Sequence, residues 1–295
     1  MISIIICSIN ETFLGKVKES IAATIGIDHE ILVWNNRQEN LGICRVYNRL
    51  AEEAKFEFLC FLHEDIIFKT KNWGQLIVSM FLRQQDVGII GLAGCKYKSL
   101  SYSGWYSGKK ELDCMNIVHR SPDGDEYLYN KPSLNSDFED VVCIDGVFIA
   151  TRKEVWRTIK FDEKFLSGFH FYDIDFSLRV FRGNRVVVTY NIGVIHITKG
   201  GNFGKDWLMD AINFHKRYSS SLPVSINKKL LDKRIEKGII IIWLDILKNY
   251  EINFAGKWKW IVDQKLYCHP GYYYSIMKFA FYHPFGLKRL HKWKK

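Results

Sequence analysis

The order of apolar segments predicts an α/β fold: a doubly wound, mainly parallel sheet flanked by helices, followed by a mainly helical basic appendage. Three observations carry this expectation. The apolar runs at 2–7, 30–34, 57–62 and 87–92 are continuous rather than alternating, as in strands covered on both faces. Each successive pair is separated by a segment with helical spacing, the pattern of βαβ units. The first three runs end in polar side chains, where open α/β sheets place their ligands.

Residues 2–7 read as a buried strand, and 12–25 as a helix with Asn10 or Thr12 near its start. Residues 30–34 form a second strand closed by Asn35 and Asn36. Asn40-Leu41-Gly42 is a turn, and 43–54 a helix with apolar positions 43, 46, 47, 50, 51 and 54. The third strand, 57–62, delivers His63-Glu64-Asp65. A helix at 72–85 and a strand at 87–92 follow. Residues 95–138 show no clear period, and so long an irregular stretch is more often a functional loop than filler. Residues 141–150 read as a strand pair or a bent strand, and 152–159 as a short helix. A helix opened by acids spans 173–182, strands span 185–189 and 194–197, and a helix spans 205–218.

His63 and Asp65 should share one face of the extended chain, with Glu64 on the other. A His-x-Asp pair at the end of a buried strand suits a divalent cation, and hence a phosphate-bearing substrate. The plainer alternative is a capped strand end, with Asp65 bonding loop amides. His196 also ends a strand, as a metal ligand or a core histidine. After it, Lys199 offers a point charge and Gly200-Gly201 allow backbone amides near an anion. Asp173 and Asp175 open a helix, where acids are favoured by free amides and the dipole. At i and i+2 they diverge, so one can cap while the other enters a cleft. Tyr97, Tyr102, Trp105 and Tyr106 are packing residues by default, or a platform under a sugar ring.

The net charge of +10 is confined to one end. Residues 1–222 hold 27 Lys/Arg and 27 Asp/Glu, whereas 223–295 hold 15 and 5. This asymmetry divides a neutral body, 1–222, from a basic appendage, 223–295, that also carries 14 aromatics. Cations interleaved with Trp, Phe and Leu, as at 256–260 and 285–295, suit an anionic membrane surface; a helical appendage packed on the body is the plainer reading. No recognition motif accompanies the charge, so nucleic acid is not the expected partner. Seven scattered cysteines without a C-x-x-C pair read as buried thiols of a reducing compartment. With no signal-like start and no apolar run near ~20 residues, the expected location is cytoplasmic, or peripheral on the inner membrane face.

These segments together resemble the family 2 type of glycosyltransferase with the GT-A nucleotide-sugar-binding fold, in the bacterial branch whose metal motif begins with His. The resemblance covers about residues 2–216. It rests on Ser3–Asn10, Glu30–Asn36, Asn40-Leu41-Gly42 with Asn48, Phe61–Asp65, Asp145–Ala150, Phe161-Asp162-Glu163, Gly168–Arg179, and His196 with Gly200-Gly201. It implies that His63-Glu64-Asp65 replaces an Asp-x-Asp holding Mn2+ or Mg2+ on a nucleotide diphosphate, with His196 a further ligand or phosphate contact. It implies that Cys7, Ser8 and Asn10, with Asn35, Asn36 and Asn40, hold the nucleotide, and that Asp145 lines the sugar and acceptor region. Asp173 matches the general base, with Asp175 the alternative because Tyr172 replaces the usual preceding acid. Cys7 stands where proline is usual, and Asn35-Asn36 where acids are common. The implied partners are a nucleotide-sugar donor and a saccharide or lipid-linked acceptor in bacterial surface polysaccharide synthesis. Two other classes remain open: a nucleotidyltransferase on a related sheet, and a non-catalytic binding module. The former usually has a glycine-rich basic loop after the first strand, and Ser8–Thr12 is neither.

Overall fold

The computed structural model describes residues 1–121, 124, 126–130, 137–198 and 203–281. Lys199, Gly200, Gly201 and the 285–295 segment singled out above lie outside the described residues. In chain order the elements are β1 (Ile2–Ser8), α1 (Glu11–Thr24), β2 (His29–Asn35), α2 (Ile43–Glu53), β3 (Phe58–Leu62), β4 (Ile66–Phe68), α3 (Trp73–Arg83), β5 (Val87–Gly91), β6 (Ala93–Cys95), β7 (Tyr97–Lys98) and β8 (Asp113–Arg120). Then come β9 (Glu126–Asn130), β10 (Phe138–Val141), β11 (Cys143–Ile144), β12 (Phe148–Arg152), α4 (Lys153–Ile159), α5 (Tyr172–Val180), β13 (Arg185–Thr189) and β14 (Val194–Ile197). The chain continues through α6 (Lys205–Arg217), β15 (Val224–Ser225), α7 (Lys233–Leu247), α8 (Phe254–Asp263) and α9 (Tyr273–Phe281).

Among the described residues, seven strands form the central sheet in the order β10-β13-β5-β12-β3-β1-β2. β1 pairs in parallel with β2 and β3, and β5 in parallel with β13. Continuous apolar sequence in β1 is explained by burial on both sides. Ile2, Ile4 and Ile6 pack with α1 and α3, whereas Ile5 points into the core shared with α2, α5 and α6. Two strands depart from the parallel pattern: β10 runs antiparallel to β13 at the sheet edge, and β12 runs antiparallel between β3 and β5. The reversal of β12 brings the chain before Phe148 to the edge where β1, β2 and β3 end.

The expectation of an irregular 95–138 is corrected by the structure. β8 forms within it and pairs with β6, β9 and β14, building a second sheet in the order β11-β6-β8-β14-β4 with β9 alongside. Its sequence, Asp113–Arg120, mixes polar and apolar residues on both faces, so partners distant in sequence rather than local periodicity fix it as a strand.

The C-terminal helices are built into the same core. Trp243 of α7 is fully buried and stacks on Trp207 of α6 with ring centroids 5.4 Å apart. Glu236 of α7 accepts hydrogen bonds from the Tyr97 hydroxyl (2.8 Å), the Ser99 hydroxyl (2.6 Å) and the Leu100 N–H (3.0 Å). The Trp260 indole of α8 donates to the Tyr102 carbonyl at 3.2 Å. Tyr97 and Tyr102 are consequently buried packing residues, while Trp105 and Tyr106 stay half-buried. No helix among the described residues is long and apolar enough to cross a membrane. Because Trp243 fills a site shared by body and C-terminal helices, Trp243→Ala should destabilise the whole chain by about 3–5 kcal/mol. Urea unfolding should show one transition at lower midpoint; loss of the C-terminal helices alone would contradict a shared core.

Candidate active site

Parallel pairing ends β1, β2 and β3 together, with Ser8 opposite Asn35 and Ile6 opposite Leu62. His63-Glu64-Asp65 emerges from this edge. The backbone turns at Glu64-Asp65 rather than continuing extended, and this turn sends Glu64 toward β1 while His63 and Asp65 approach His196 of β14. The Glu64 carboxylate accepts from the Ser8 hydroxyl at 2.5 Å and from the Ile9 and Asn10 amides at 3.2 and 3.1 Å. The acid between His63 and Asp65 thus ties down the first loop.

β14 lies antiparallel to β4, placing His196 opposite Ile66, and the Ile197 N–H donates to the Asp65 carbonyl at 2.8 Å. His196 Nε2 lies 3.3 Å from Asp65 Oδ1, and His63 Nδ1 lies 4.0 Å from the same oxygen. One ligand atom from each of the three residues falls within 4.8 Å of the other two. Although these distances are short, Asp65 Oδ1 is buried without an aligned hydrogen-bond partner. A buried carboxylate oxygen left in that state is costly unless a cation completes it. The orphaned oxygen and the two flanking imidazoles fit a divalent metal ion.

The orientation of the His63 ring follows from its neighbours. The Tyr172 hydroxyl donates to the Gly146 carbonyl at 3.3 Å and lies 3.0 Å from His63 Nε2. His63 thus turns Nε2 toward Tyr172 and Nδ1 toward Asp65. Burial lowers the pKa of His63, opposed by Asp65. At His196 burial also disfavours the proton, but the adjacent Asp65 carboxylate outweighs it and raises the pKa. Asp65 feels the reciprocal effect: burial raises its pKa, and the two histidines bring it below the usual carboxylate value.

Asp173 sits across Gly146 from this cluster. Phe171, in the left-handed region at φ 64°, turns the chain sharply into α5, and the Asp173 carboxylate accepts from the Gly146 N–H at 2.8 Å and the Ile174 N–H at 2.9 Å. Burial, with the charge of Asp145 added, pushes its pKa up to about 7. Asp145 itself accepts from the Val147 N–H at 2.8 Å. Gly146 is irreplaceable on steric grounds, since a Cβ there would lie 2.0 Å from the Tyr172 hydroxyl. Asp175 is different. It is fully buried, ion-paired with Arg179 at 2.6 Å and bonded by the Tyr218 hydroxyl at 2.6 Å. Those partners fix Asp175 as an anchor of α5 inside the protein.

The remaining sequence candidates divide. Cys7 and Ser8 lie at the shared strand edge; burial pushes the Cys7 thiol up to about 11, so it is neutral. Asn10 caps α1, accepting from the Thr12 and Phe13 amides. Asn36 is buried and spends both ends of its amide on the Leu41 N–H and carbonyl, each at 2.8 Å, so it shapes the turn. Asn40 takes a positive φ of 46° in that turn, and Asn35 remains exposed. Two residues emerge that motif reading passed over. His119 on β8 is in register beside His196, with ring centroids 5.4 Å apart, and burial with the neighbouring His196 lowers its pKa to about 4. Its signal was a histidine at the end of a short apolar run, Ile117-Val118. His170 Nδ1 lies 3.0 Å from Asp210 on the rim beside α5.

Two outcomes follow from this geometry. Tyr172→Phe removes the hydroxyl that orients His63 and should weaken Mn2+ binding about 10–100-fold by calorimetry while leaving the fold intact. Asp175→Asn should instead cost about 3–5 kcal/mol in urea unfolding, because Arg179 would be left without its buried partner; an unaltered midpoint would refute the anchor role.

The comparisons with known proteins agree with this architecture. No curated protein is a significant match. A crystal structure titled GalNAc-T7 with UDP, GalNAc and Mn2+ is similar with a TM-score of 0.50 and 11% identity, over 74% of this chain and 48% of that one. The crystal structure of S. aureus TarS is similar with a TM-score of 0.50 and 11% identity, over 89% of this chain and 47% of that one. The chain thus spans about half the length of these solved structures, and the likeness shows a shared GT-A fold. The sequence pattern of the glycosyltransferase-like family matches residues 3–218. The chain therefore belongs to the glycosyltransferase-like family.

Proposed function

We propose that the chain is a metal-dependent, inverting glycosyltransferase. It moves a sugar from a nucleotide-diphosphate donor to a hydroxyl of a saccharide or lipid-linked acceptor of a surface polysaccharide. The observation that carries this reading is Asp173. It is a carboxylate with a raised pKa and no cationic partner in contact among the described residues, one glycine away from a cluster suited to a cation.

His63, Asp65 and His196 would hold the ion, which supplies Lewis-acid stabilisation of charge on a departing nucleotide diphosphate. The first loop, fastened by Glu64, and the β2 end near Asn35 form the side of the cleft assigned to the nucleotide. Asp145 and Gly146 lie between the two halves. An acceptor hydroxyl is a poor nucleophile, and Asp173 takes its proton as the new glycosidic bond forms and the bond to the leaving phosphate breaks. A base with pKa near the working pH is suited to this, and such a base contributes typically ~10²–10⁴-fold. A single base and direct displacement give inversion at the sugar carbon. The reading also includes a preference of the cation site: two imidazoles beside one carboxylate favour Mn2+ over Mg2+.

Asp173→Asn should retain donor binding by calorimetry and lose transfer against a panel of nucleotide sugars. Undiminished turnover would refute the base assignment. Since the acid must be ionised to act, kcat/KM should fall about tenfold per pH unit below the Asp173 pKa of about 7. Asp145→Asn removes one cause of the upward shift, so the acid limb of its profile should move to lower pH; a fixed limb would assign the titration to another group.

A further inference from the structure

The exposed face of α8 and α9 is a feature that the proposed chemistry does not use. On α8, Phe254 (51% exposed), Trp258 (47%) and Val262 (38%) recur every four residues along one stripe. On α9, Tyr274 (73%), Met277 (57%) and Phe281 (61%) form a second. The two stripes join where the Phe254 and Phe281 rings approach to 6.0 Å, and Phe254 also stacks with Trp258 at 6.3 Å. The opposite sides of both helices are buried through Trp260, Ile261, Ile276 and Phe279, so the helices do not need this outer face in order to pack.

The charge around the face has one sign to spare. Asp232 is paired with Arg234, Asp245 with Lys248, and Asp263 with Lys216 and Lys259. Glu236 is bonded to Tyr97, Ser99 and Leu100, which leaves Glu251 as the acid of 223–281 without a partner among the described residues. The Lys278 ammonium lies 4.5 Å from the Tyr274 ring centre, and the exposed Lys265 follows the end of α8. Beyond Phe281 the sequence adds Lys288, Arg289, Lys292, Lys294 and Lys295 and no acid.

We infer that the α8–α9 face is a docking surface for an anionic lipid bilayer, which it meets edge-on with aromatic side chains in the interface and lysines toward the headgroups. Amphipathic aromatics settle at the headgroup level, and cations near an anionic leaflet add an attraction that salt screens. The charge balance selects the bilayer over a second copy of the chain, because two such faces would oppose like charges. The inference rests on surface composition and stands apart from the transfer chemistry, so either can fail alone.

Flotation of the full chain with phosphatidylcholine vesicles, with and without phosphatidylglycerol, tests it. The chain should float with the anionic vesicles, release as salt is raised, and stay behind with the neutral ones. Phe254→Ser with Trp258→Ser should reduce the bound fraction at least tenfold with an unchanged melting temperature. Tyr274→Ser with Met277→Ser, on the other helix, should weaken binding independently. Equal flotation with neutral vesicles, undiminished binding by both double variants, or a wild-type dimer that they convert to monomer would overturn the inference.

Discussion

One hydroxyl group holds the site together. Tyr172 reaches from the start of α5 to the Gly146 carbonyl and to His63 Nε2, while the next residue, Asp173, takes the Gly146 N–H. A glycine is needed there because the phenol occupies the space of a side chain. The same contact sets which nitrogen of His63 faces Asp65 and where the Asp173 carboxylate stands relative to it. β12 has to run against β3 for Gly146 to arrive at all. Tyr172, the residue that departs from the family pattern before Asp173, thereby becomes a link between the two halves of the site.

Electrostatic contrast separates the roles. Asp65, between two histidines, is pulled below the usual carboxylate range. Asp173, half-buried and desolvated near Asp145, is pushed up to about 7. Two carboxyl groups on one cleft whose environments drive them apart are suited to different tasks, one to bind a cation and one to exchange a proton. Asp175, two residues along, shows the third fate of a buried acid: Arg179 and Tyr218 consume it.

Much of this was legible in the sequence because parallel strands that end together bring their terminal residues together. Ser8, Asn35 and His63 could be placed at one edge from apolar run lengths alone. The direction of β12 was not legible, since an apolar run such as Phe148–Ala150 reads the same in either sense. β8 was hidden because its pairing partners, not its own period, define it, and His119 was hidden with it. Asn36 carries a polar side chain at a strand end, as a binding residue would, yet its amide closes the turn to Leu41. Only the coordinates separate an amide that faces a ligand from one that faces its own backbone. The division at residue 222 follows charge, whereas the packing of Trp243 and Trp260 follows apolar area, and the two properties do not share a boundary.

The central claim is that three side chains far apart in sequence make one cation site. A crystal of the chain grown with Mn2+, with data collected near the manganese edge, tests it without reference to any substrate. The account requires one anomalous peak within ligand distance of His63 Nδ1, Asp65 Oδ1 and His196 Nε2. A peak elsewhere, or none at saturating Mn2+ while Asp65 keeps its position, would contradict it.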